Sequence, residues 1–232
     1  MSIIEKNNQR QNTSSYVPSQ KNIDSFISNP ANTFLVSFPR TGSHWLRMMM
    51  ELYFERPTLV RAFYYFDKTD YLTYHTHDLD LDLVRQDVIY LYRDPIPTIF
   101  SQLMYHKENI DDTERIIHWT SIYGKHLDKW LVNEKFTTHK TLINYEALKA
   151  NLIQEFSKIT KHFGSALHSV KLEEVSQKIS KVEVKNKTKH DSQVMNLDDG
   201  YTFTRKRFAD TYNDLIWETI YKKRRHLKQF FQ

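Results

Sequence analysis

The chain has 232 residues, of which 40% are hydrophobic and 14% aromatic, so it is long and apolar enough to build one sizeable core. It contains no cysteine, which excludes structural disulfides and thiolate metal sites. The net charge is +5, and residues 201–232 hold eight Lys or Arg against three Asp or Glu, so the positive excess lies in this last stretch.

The beginning of the chain predicts little regular structure. Residues 1–30 are rich in Asn, Gln and Ser and show little periodicity, which is typical of a mobile or loosely docked arm before a single domain over 31–232. Residues 1–10 lack the apolar stretch of a signal peptide, and no apolar run approaches the ~20 residues that span a bilayer. We therefore expect a cytoplasmic protein with no transmembrane segment.

The rest of the chain alternates strands with helices. Short apolar runs predict strands over residues 33–38, 71–76, 87–92 and 139–145. Helical spacing or start signals predict helices after Gly42, from Pro95, after a capping box of Asp111 with Glu114, over 146–163, near 171–180, and over 204–227. This alternation predicts an α/β fold in which a central parallel sheet is flanked by helices on both faces.

The segment between the first predicted strand and its helix carries groups suited to an anion. Backbone N–H groups at a helix N-terminus lack intrahelical partners and bear partial positive charge. Arg40 adds a fixed cation, Thr41 and Ser43 add hydroxyls, and Gly42 lets the backbone approach a ligand closely. A Walker A loop would need two glycines and a lysine followed by a hydroxyl residue, which this segment lacks. The alternatives are thus a phosphate-binding loop of another kind and an ordinary strand-to-helix turn.

Residues 39–47, PRTGSHWLR, resemble the 5′-phosphosulfate loop of sulfotransferases, whose pattern is roughly P-[KR]-[ST]-G-[ST]-x-W. The resemblance implies a P-loop-like sulfotransferase architecture and 3′-phosphoadenosine 5′-phosphosulfate (PAPS) as the donor. It places Arg40, where many members have lysine, near the oxygen that bridges sulfur and phosphorus. It also implies that Trp45 stacks on adenine. The four residues between Arg40 and Trp45 are implied to wrap the 5′-phosphate: Thr41, Gly42, Ser43 and His44. His44 replaces a commoner Thr or Asn.

A second motif follows the strand predicted over 87–92. The sequence from Arg93 to Ser101 looks like the 3′-phosphate motif of the same family, R-[DN]-P-x-x-x-x-x-S. An arginine at the end of a strand faces the crevice where α/β sheets bind ligands, and it can grip a phosphate with two hydrogen bonds. The alternative for Arg93 is an ion pair with Asp94 or another carboxylate.

Two weaker matches lie further along. The segment from Asn144 to Leu148 resembles a YEDL-like segment whose tyrosine lies near the adenine, so Tyr145 is predicted to contact the nucleotide or else to belong to the core. The family's last signature, RKG, is present only as Arg205, Lys206 and Arg207 without the glycine. Arg205 or Lys206 is therefore predicted to approach the 3′-phosphate, with Lys185 and Lys187 as rivals.

The second predicted strand ends in a histidine pair, His75-Thr76-His77. The unperturbed pKa of histidine is ~6.5, which suits a general base, and the family carries a K-T-H-like catalytic histidine at this place. The resemblance makes His77 the catalytic base and puts His75 at the family's lysine. Two histidines with one residue between them also allow a metal pair, but no third ligand stands at a telling spacing, so we expect no metal.

The motifs together predict an enzyme of the PAPS-dependent sulfotransferase class that transfers a sulfuryl group to a hydroxyl or amine of a small-molecule or glycan acceptor. Loops at 54–70, 104–112 and 185–203 are the candidates for the acceptor pocket. Two alternatives remain open: a nucleotide or small-molecule kinase of the P-loop class, and a non-enzymatic module that binds nucleic acid or a membrane surface through the basic C-terminus. The preferred interpretation expects no nucleic-acid partner.

Overall fold

A computed structural model describes residues 18–188 and 199–231. Within this part of the chain, four strands form one parallel sheet in the order β2-β1-β3-β4. The strands are β1 (Phe34–Ser37), β2 (Tyr74–Thr76), β3 (Asp87–Tyr92) and β4 (His139–Asn144). The sheet predicted from the sequence is confirmed, and three of its strands are shorter by one to three residues than the apolar runs that indicated them.

Helices follow or precede each strand. They are α1 (Gln20–Ser28), α2 (Ser43–Phe54), α3 (Pro95–His106), α4 (Thr113–Leu127), α5 (Tyr145–Ala150), α6 (Leu152–His162), α7 (Ser169–Lys178), α8 (Lys181–Lys187) and α9 (Asp199–Tyr221), with a π-helical turn at Asp128–Val132 and a 3₁₀ helix at Arg225–Phe230. In the described residues, no helix has the length and apolar character that crossing a membrane requires.

The core lies on both faces of the sheet because successive strand residues point to opposite sides. One face of β1 and β3 packs against α3, α4 and α9 through buried residues that include Val36, Tyr90, Phe100, Ile116 and Phe208. The other face packs against α2, α6 and α7 through Leu35, Leu91, Met49, Phe156 and Leu172. This double cover explains why the two central strands, β1 and β3, are almost continuously apolar, as expected for a buried parallel sheet.

The carboxyl ends of the strands meet at one edge of the sheet. β1 pairs in parallel with both β2 and β3, and β3 pairs with β4 so that Tyr92 lies opposite Asn144. The residues that follow each strand are therefore brought together, which is where α/β sheets bind their ligands.

Several helix boundaries differ from the sequence predictions. The helix predicted over 146–163 is two helices, because Asn151 has an extended backbone and its side chain accepts from Gln154 N to cap α6. The cap of α4 is Asp112, which accepts from Glu114 N and Arg115 N, so the predicted capping box at Asp111 is wrong. The last helix begins at Asp199 and ends at Tyr221, five or six residues before each predicted boundary.

The predicted arm is partly described. Residues 1–17 lie outside the described residues, whereas α1 occupies most of the rest. Phe26 is buried against Tyr71, with ring centroids 6.3 Å apart, and Arg85 Nη1 donates to Ile27 O over 2.6 Å. The end of the segment predicted as an arm is therefore docked against the core.

Candidate active site

A cavity of about 400 Å³ opens at the carboxyl edge of the sheet. This volume falls in the range of ~300–1,000 Å³ that is usual for small-molecule sites. The cavity is lined by most of the residues that the motifs singled out: Arg40, Gly42, Ser43, His44, Trp45, His77, Arg93, Ser101, Tyr145 and Arg205. Residues from five separate segments, up to 165 positions apart, thus line one cavity.

The loop between β1 and α2 forms the floor of this cavity. Gly42 has φ +96° and caps α2, a left-handed conformation that L side chains rarely adopt. Thr41 is fully buried and its hydroxyl donates to Phe38 O over 2.7 Å, so the Thr41 side chain shapes the loop instead of facing the cavity. The first turn of α2 points its backbone N–H groups toward the cavity, as a helix N-terminus must.

The two arginines of the predicted phosphate motifs are connected. Arg40 Nε donates to Ser101 Oγ over 2.9 Å, and Arg93 Nη1 donates to Arg40 O over 3.1 Å. Each motif therefore contributes a side chain that touches the other, although Arg40 and Arg93 are 53 residues apart. The two clusters lie on the same face of the molecule, close enough for one ligand to contact both.

Aromatic rings form one wall beside these cations. The Arg93 guanidinium lies 4.4 Å from the ring centroid of Tyr145, and Tyr145 meets Trp45 edge to face with centroids 5.8 Å apart. Arg93 Nε also lies 3.4 Å from Glu146 Oε1, which is the carboxylate contact that the sequence left open, with Glu146 instead of Asp94 as the partner. A flat heterocycle can pack on such a wall while its charged groups face the arginines.

His77 has a defined tautomer because of its backbone contact. Its Nδ1 lies 2.7 Å from Ser37 O, and a carbonyl can only accept, so Nδ1 carries the proton and Nε2 presents a lone pair. Burial lowers the pKa of His77 below its ordinary 6.5; the hydrogen bond to Ser37 opposes this effect, and Arg47 and Arg40 reinforce it. The His77 imidazole is therefore neutral near pH 7 and able to accept a proton.

A second histidine, His126, holds the backbone of His77 in place. His126 is fully buried, its Nε2–H donates to His77 O over 2.8 Å, and its Nδ1 lies 2.8 Å from the Tyr90 hydroxyl. Burial lowers the pKa of His126 to about 3, so it stays neutral and keeps this arrangement. No motif pointed to His126, because its link to His77 spans 49 residues and involves a backbone atom.

His75 is half-buried and lies beside His77. Its Nε2 shares a hydrogen bond of 3.0 Å with Ser37 Oγ, and its ring meets that of His77 with centroids 4.7 Å apart. Burial, followed by the charge of Arg47, lowers the pKa of His75 well below 6.5. Within residues 18–188 and 199–231, the group of three His, Asp or Glu side chains close enough to share a metal lies elsewhere, which leaves His75 and His77 without a third ligand.

Of the basic residues predicted near the 3′-phosphate, one lines the cavity and the others are exposed to solvent. Arg205 lines the cavity, whereas Lys206 is exposed and its Nζ pairs with Asp210 over 2.5 Å along α9. Successive helical residues differ by about 100° in direction, so Lys206 points away from the direction in which Arg205 faces the cavity. Lys185 and Lys187 are exposed on α8, and Lys187 lies over the ring of Tyr64.

Sequence reasoning missed several lining residues: Pro39, Lys149, Ile179, Lys181, Val184 and Tyr201. Lys149 stands four residues after Tyr145, so helical spacing could have placed it on the same face. The segment around Ile179 and Lys181 carried no motif, and only the fold brings it to the cavity.

The loop predicted as one acceptor candidate, 54–70, is held by hydrogen bonds from two buried charged side chains, Glu51 and Arg47. Glu51 accepts hydrogen bonds from Thr58 N, Phe63 N and Tyr64 N over 2.8–3.1 Å. Arg47 donates to the Val60 and Arg61 carbonyls. Phe63 in this loop is buried in the core, so its side chain is structural and does not line an acceptor pocket.

The α/β fold, with its parallel sheet, glycine-containing loop and cavity at the carboxyl edge, is that of the solved sulfotransferase to which it is similar. The structure is similar to that of mouse sulfotransferase SULT7A1 complexed with PAP, with a TM-score of 0.56 and 17% identity over 90% of this chain and 91% of that chain. It is also similar to retinol dehydratase in complex with androsterone and inactive cofactor PAP, with a TM-score of 0.52 and 12% identity over 82% of each chain. No protein-family model and no curated sequence matches the chain.

Proposed function

We propose that this chain is a PAPS-dependent sulfotransferase that moves a sulfuryl group to an acceptor hydroxyl or amine with His77 as the general base. The observation that supports this most is the hydrogen bond from Arg93 to Arg40 O, because it joins two phosphate-binding motifs at the edge of one cavity. Both similar structures contain PAP, the nucleotide product of PAPS, which agrees with such a ligand.

Under this proposal the cavity holds a nucleotide with two phosphate-bearing ends. The Gly42 turn and the N-terminus of α2 would hold the 5′ end, with Ser43 and His44 beside them. Arg93, Ser101 and Arg205 would hold the 3′-phosphate. The wall formed by Trp45 and Tyr145 would pack against the adenine.

Transfer then requires a base that accepts the acceptor's proton and groups that stabilise the charge on the leaving phosphate. As the acceptor oxygen bonds to sulfur, its proton passes to Nε2 of His77, whose Nδ1–H remains fixed on Ser37 O. The bond between sulfur and the bridging oxygen breaks, and its electrons stay with the departing 5′-phosphate. Arg40 and the backbone N–H groups of α2 would stabilise that growing charge, so placement and electrostatics supply most of the catalysis.

The proposal is tested by donor binding and transfer. The purified chain should bind PAP by isothermal titration without added metal, and more tightly than adenosine 5′-phosphate. Labelled PAPS with a panel of hydroxylated and amine acceptors should yield sulfated products by mass spectrometry. A preference for ATP with magnesium-dependent hydrolysis would favour a kinase, and steeply salt-dependent binding to DNA or lipid with no preference for the 3′-phosphate would favour a basic binding module.

A further inference from the structure

Three side chains converge at the edge of the sheet opposite the cavity. Asp87 is the first residue of β3, His139 is the first residue of β4 and lies opposite it in register, and His162 is the last residue of α6. One ligand atom from each side chain lies within 4.8 Å of the others. β3 advances about 3.3 Å per residue, so this cluster is separated from Tyr92 at the catalytic edge by roughly 17 Å.

The cluster is sheltered and has one open side. The side chain of His162 is fully buried and that of Asp87 is 16% exposed, whereas that of His139 is 57% exposed. The two imidazole rings are parallel within 7°, with centroids 4.2 Å apart. His139 Nδ1 and His162 Nε2 both face the Asp87 carboxylate, so three potential ligands point to one spot that solvent can reach past His139.

Outer hydrogen bonds orient two of the three ligands. The Thr33 hydroxyl donates to Asp87 Oδ2, and the Thr141 hydroxyl lies 2.8 Å from His162 Nδ1. If Nδ1–H donates to Thr141, the Nε2 lone pair is free to bind a cation beside Asp87. Such outer partners are typical of metal-binding histidines and carboxylates, because they fix the tautomer and the ring orientation.

Two imidazoles with one carboxylate match the ligand preference of zinc and neighbouring divalent transition metals, and not that of magnesium or calcium. We propose that Asp87, His139 and His162 bind a divalent transition metal, with zinc the best fit, and that the ion clamps β3, β4 and α6 together. Tetrahedral zinc would draw the ligand atoms to separations of about 3.3 Å, given metal–ligand distances near 2.0–2.1 Å. Solvent on the His139 side would complete the coordination.

Zinc titration tests the site directly. The full-length chain, prepared without a polyhistidine tag and treated with a chelator, should bind one zinc ion by isothermal titration and show a higher melting temperature with zinc. Cobalt in place of zinc should give the visible spectrum of a tetrahedral site. Magnesium at the same concentration should neither bind nor raise the melting temperature.

Matched histidine variants locate the binding. His139→Ala is the main variant because its ring is largely exposed, and zinc affinity should fall at least tenfold. His226→Ala removes another exposed histidine that pairs with an aspartate, Asp128, and zinc affinity should stay unchanged. PAP affinity should be unchanged in both variants, which separates this proposal from that of the catalytic site.

Three outcomes would overturn the proposal. These are an absence of stoichiometric zinc binding, equal zinc affinity in His139→Ala and the unsubstituted chain, and equal loss in both variants. In each case the cluster is a hydrogen-bonded clamp alone.

Discussion

The His77 side chain depends on two backbone contacts for its chemistry. Its own Nδ1–H is fixed on Ser37 O, and its carbonyl accepts from His126, so both the tautomer and the ring position are set before any ligand binds. Such prior placement is what general-base catalysis needs, since the transferred proton must find a lone pair at the correct distance.

His77→Ala should lower turnover by at least about 100-fold, because general-base catalysis typically contributes 10²–10⁴-fold. PAP affinity should change less than about twofold, since the phosphate contacts are proposed to come from other residues of the cavity. Steady-state transfer assays and titration calorimetry measure the two effects. His118→Ala, at an exposed histidine, is the control. Normal turnover with lost nucleotide affinity would reverse the assignment of His77.

Arg93→Ala should weaken PAP binding at least tenfold, because a hydrogen bond to a charged group contributes about 1.5–3 kcal/mol. Binding of adenosine 5′-phosphosulfate, which lacks the 3′-phosphate, should fall much less. Titration of both nucleotides against the variant and the unsubstituted chain makes the comparison. Equal losses for the two nucleotides would argue against a 3′-phosphate role.

At the scale of elements, the β1–α2 turn depends on its glycine for two separate reasons. Gly42 has φ +96°, and a Cβ at this position would lie 2.4 Å from the Tyr145 ring. Gly164 also has a positive φ, of +65°, but a Cβ there would meet no atom within 4 Å. The pair therefore separates backbone strain from a steric clash at the proposed adenine wall.

Gly164→Ala should cost about 1 kcal/mol of stability and leave PAP affinity unchanged, because only backbone strain is added. Gly42→Ala should cost more stability and should also lower PAP affinity at least tenfold, since Tyr145 must move. Denaturant unfolding and titration calorimetry measure both quantities. Unchanged PAP affinity in Gly42→Ala would contradict the proposed role of this turn.

The sequence predicted those parts of the fold that depend on local order. Strand-like runs located the four strands, and the two motifs located Arg93 directly after β3 and Arg40 three residues after β1. Which basic residue of α9 faces the cavity was harder to predict, because neighbouring basic residues look equivalent until the orientation of the helix is known. Only then does Arg205 face the cavity and Lys206 face solvent.

Contacts between distant segments could not be predicted in this way. Asn151 divides a helical run because its side chain offers a better cap than a continued helix would, and helical periodicity alone does not show this. The cluster of Asp87, His139 and His162 joins residues up to 75 positions apart, with no shared motif. Such clusters follow from strand register and helix docking, which only the assembled fold provides.

At the scale of the whole molecule, buried neutral histidines connect pH to stability. Burial lowers the pKa values of His75, His77 and His126, so each takes up a proton more readily in the unfolded chain than in the folded one. Their contribution to stability is complete above the unfolded pKa, near 6.5. It is lost progressively as the pH falls below that value.

The free energy of unfolding should therefore decline on acidification from pH 7.5 to 5.5. His126, whose pKa burial lowers to about 3, contributes a slope that approaches about 1.4 kcal/mol per pH unit below pH 6.5, and His75 and His77 act in the same direction. Urea unfolding at several pH values measures the slope. Stability that rises on acidification over this interval would contradict the proposed protonation states.

The hydrogen bond from Arg93 to the Arg40 carbonyl has a consequence for how nucleotide recognition divides into parts. Arg93, which is proposed to bind the 3′-phosphate, also donates to the backbone of the loop that is proposed to bind the 5′-phosphate. Binding at the two ends of the nucleotide is therefore not independent. In a thermodynamic cycle that combines Arg93→Ala with removal of the 5′-phosphate, the two losses of binding free energy should not sum. Fragments of the nucleotide, tested one at a time, would then understate the affinity of the intact molecule.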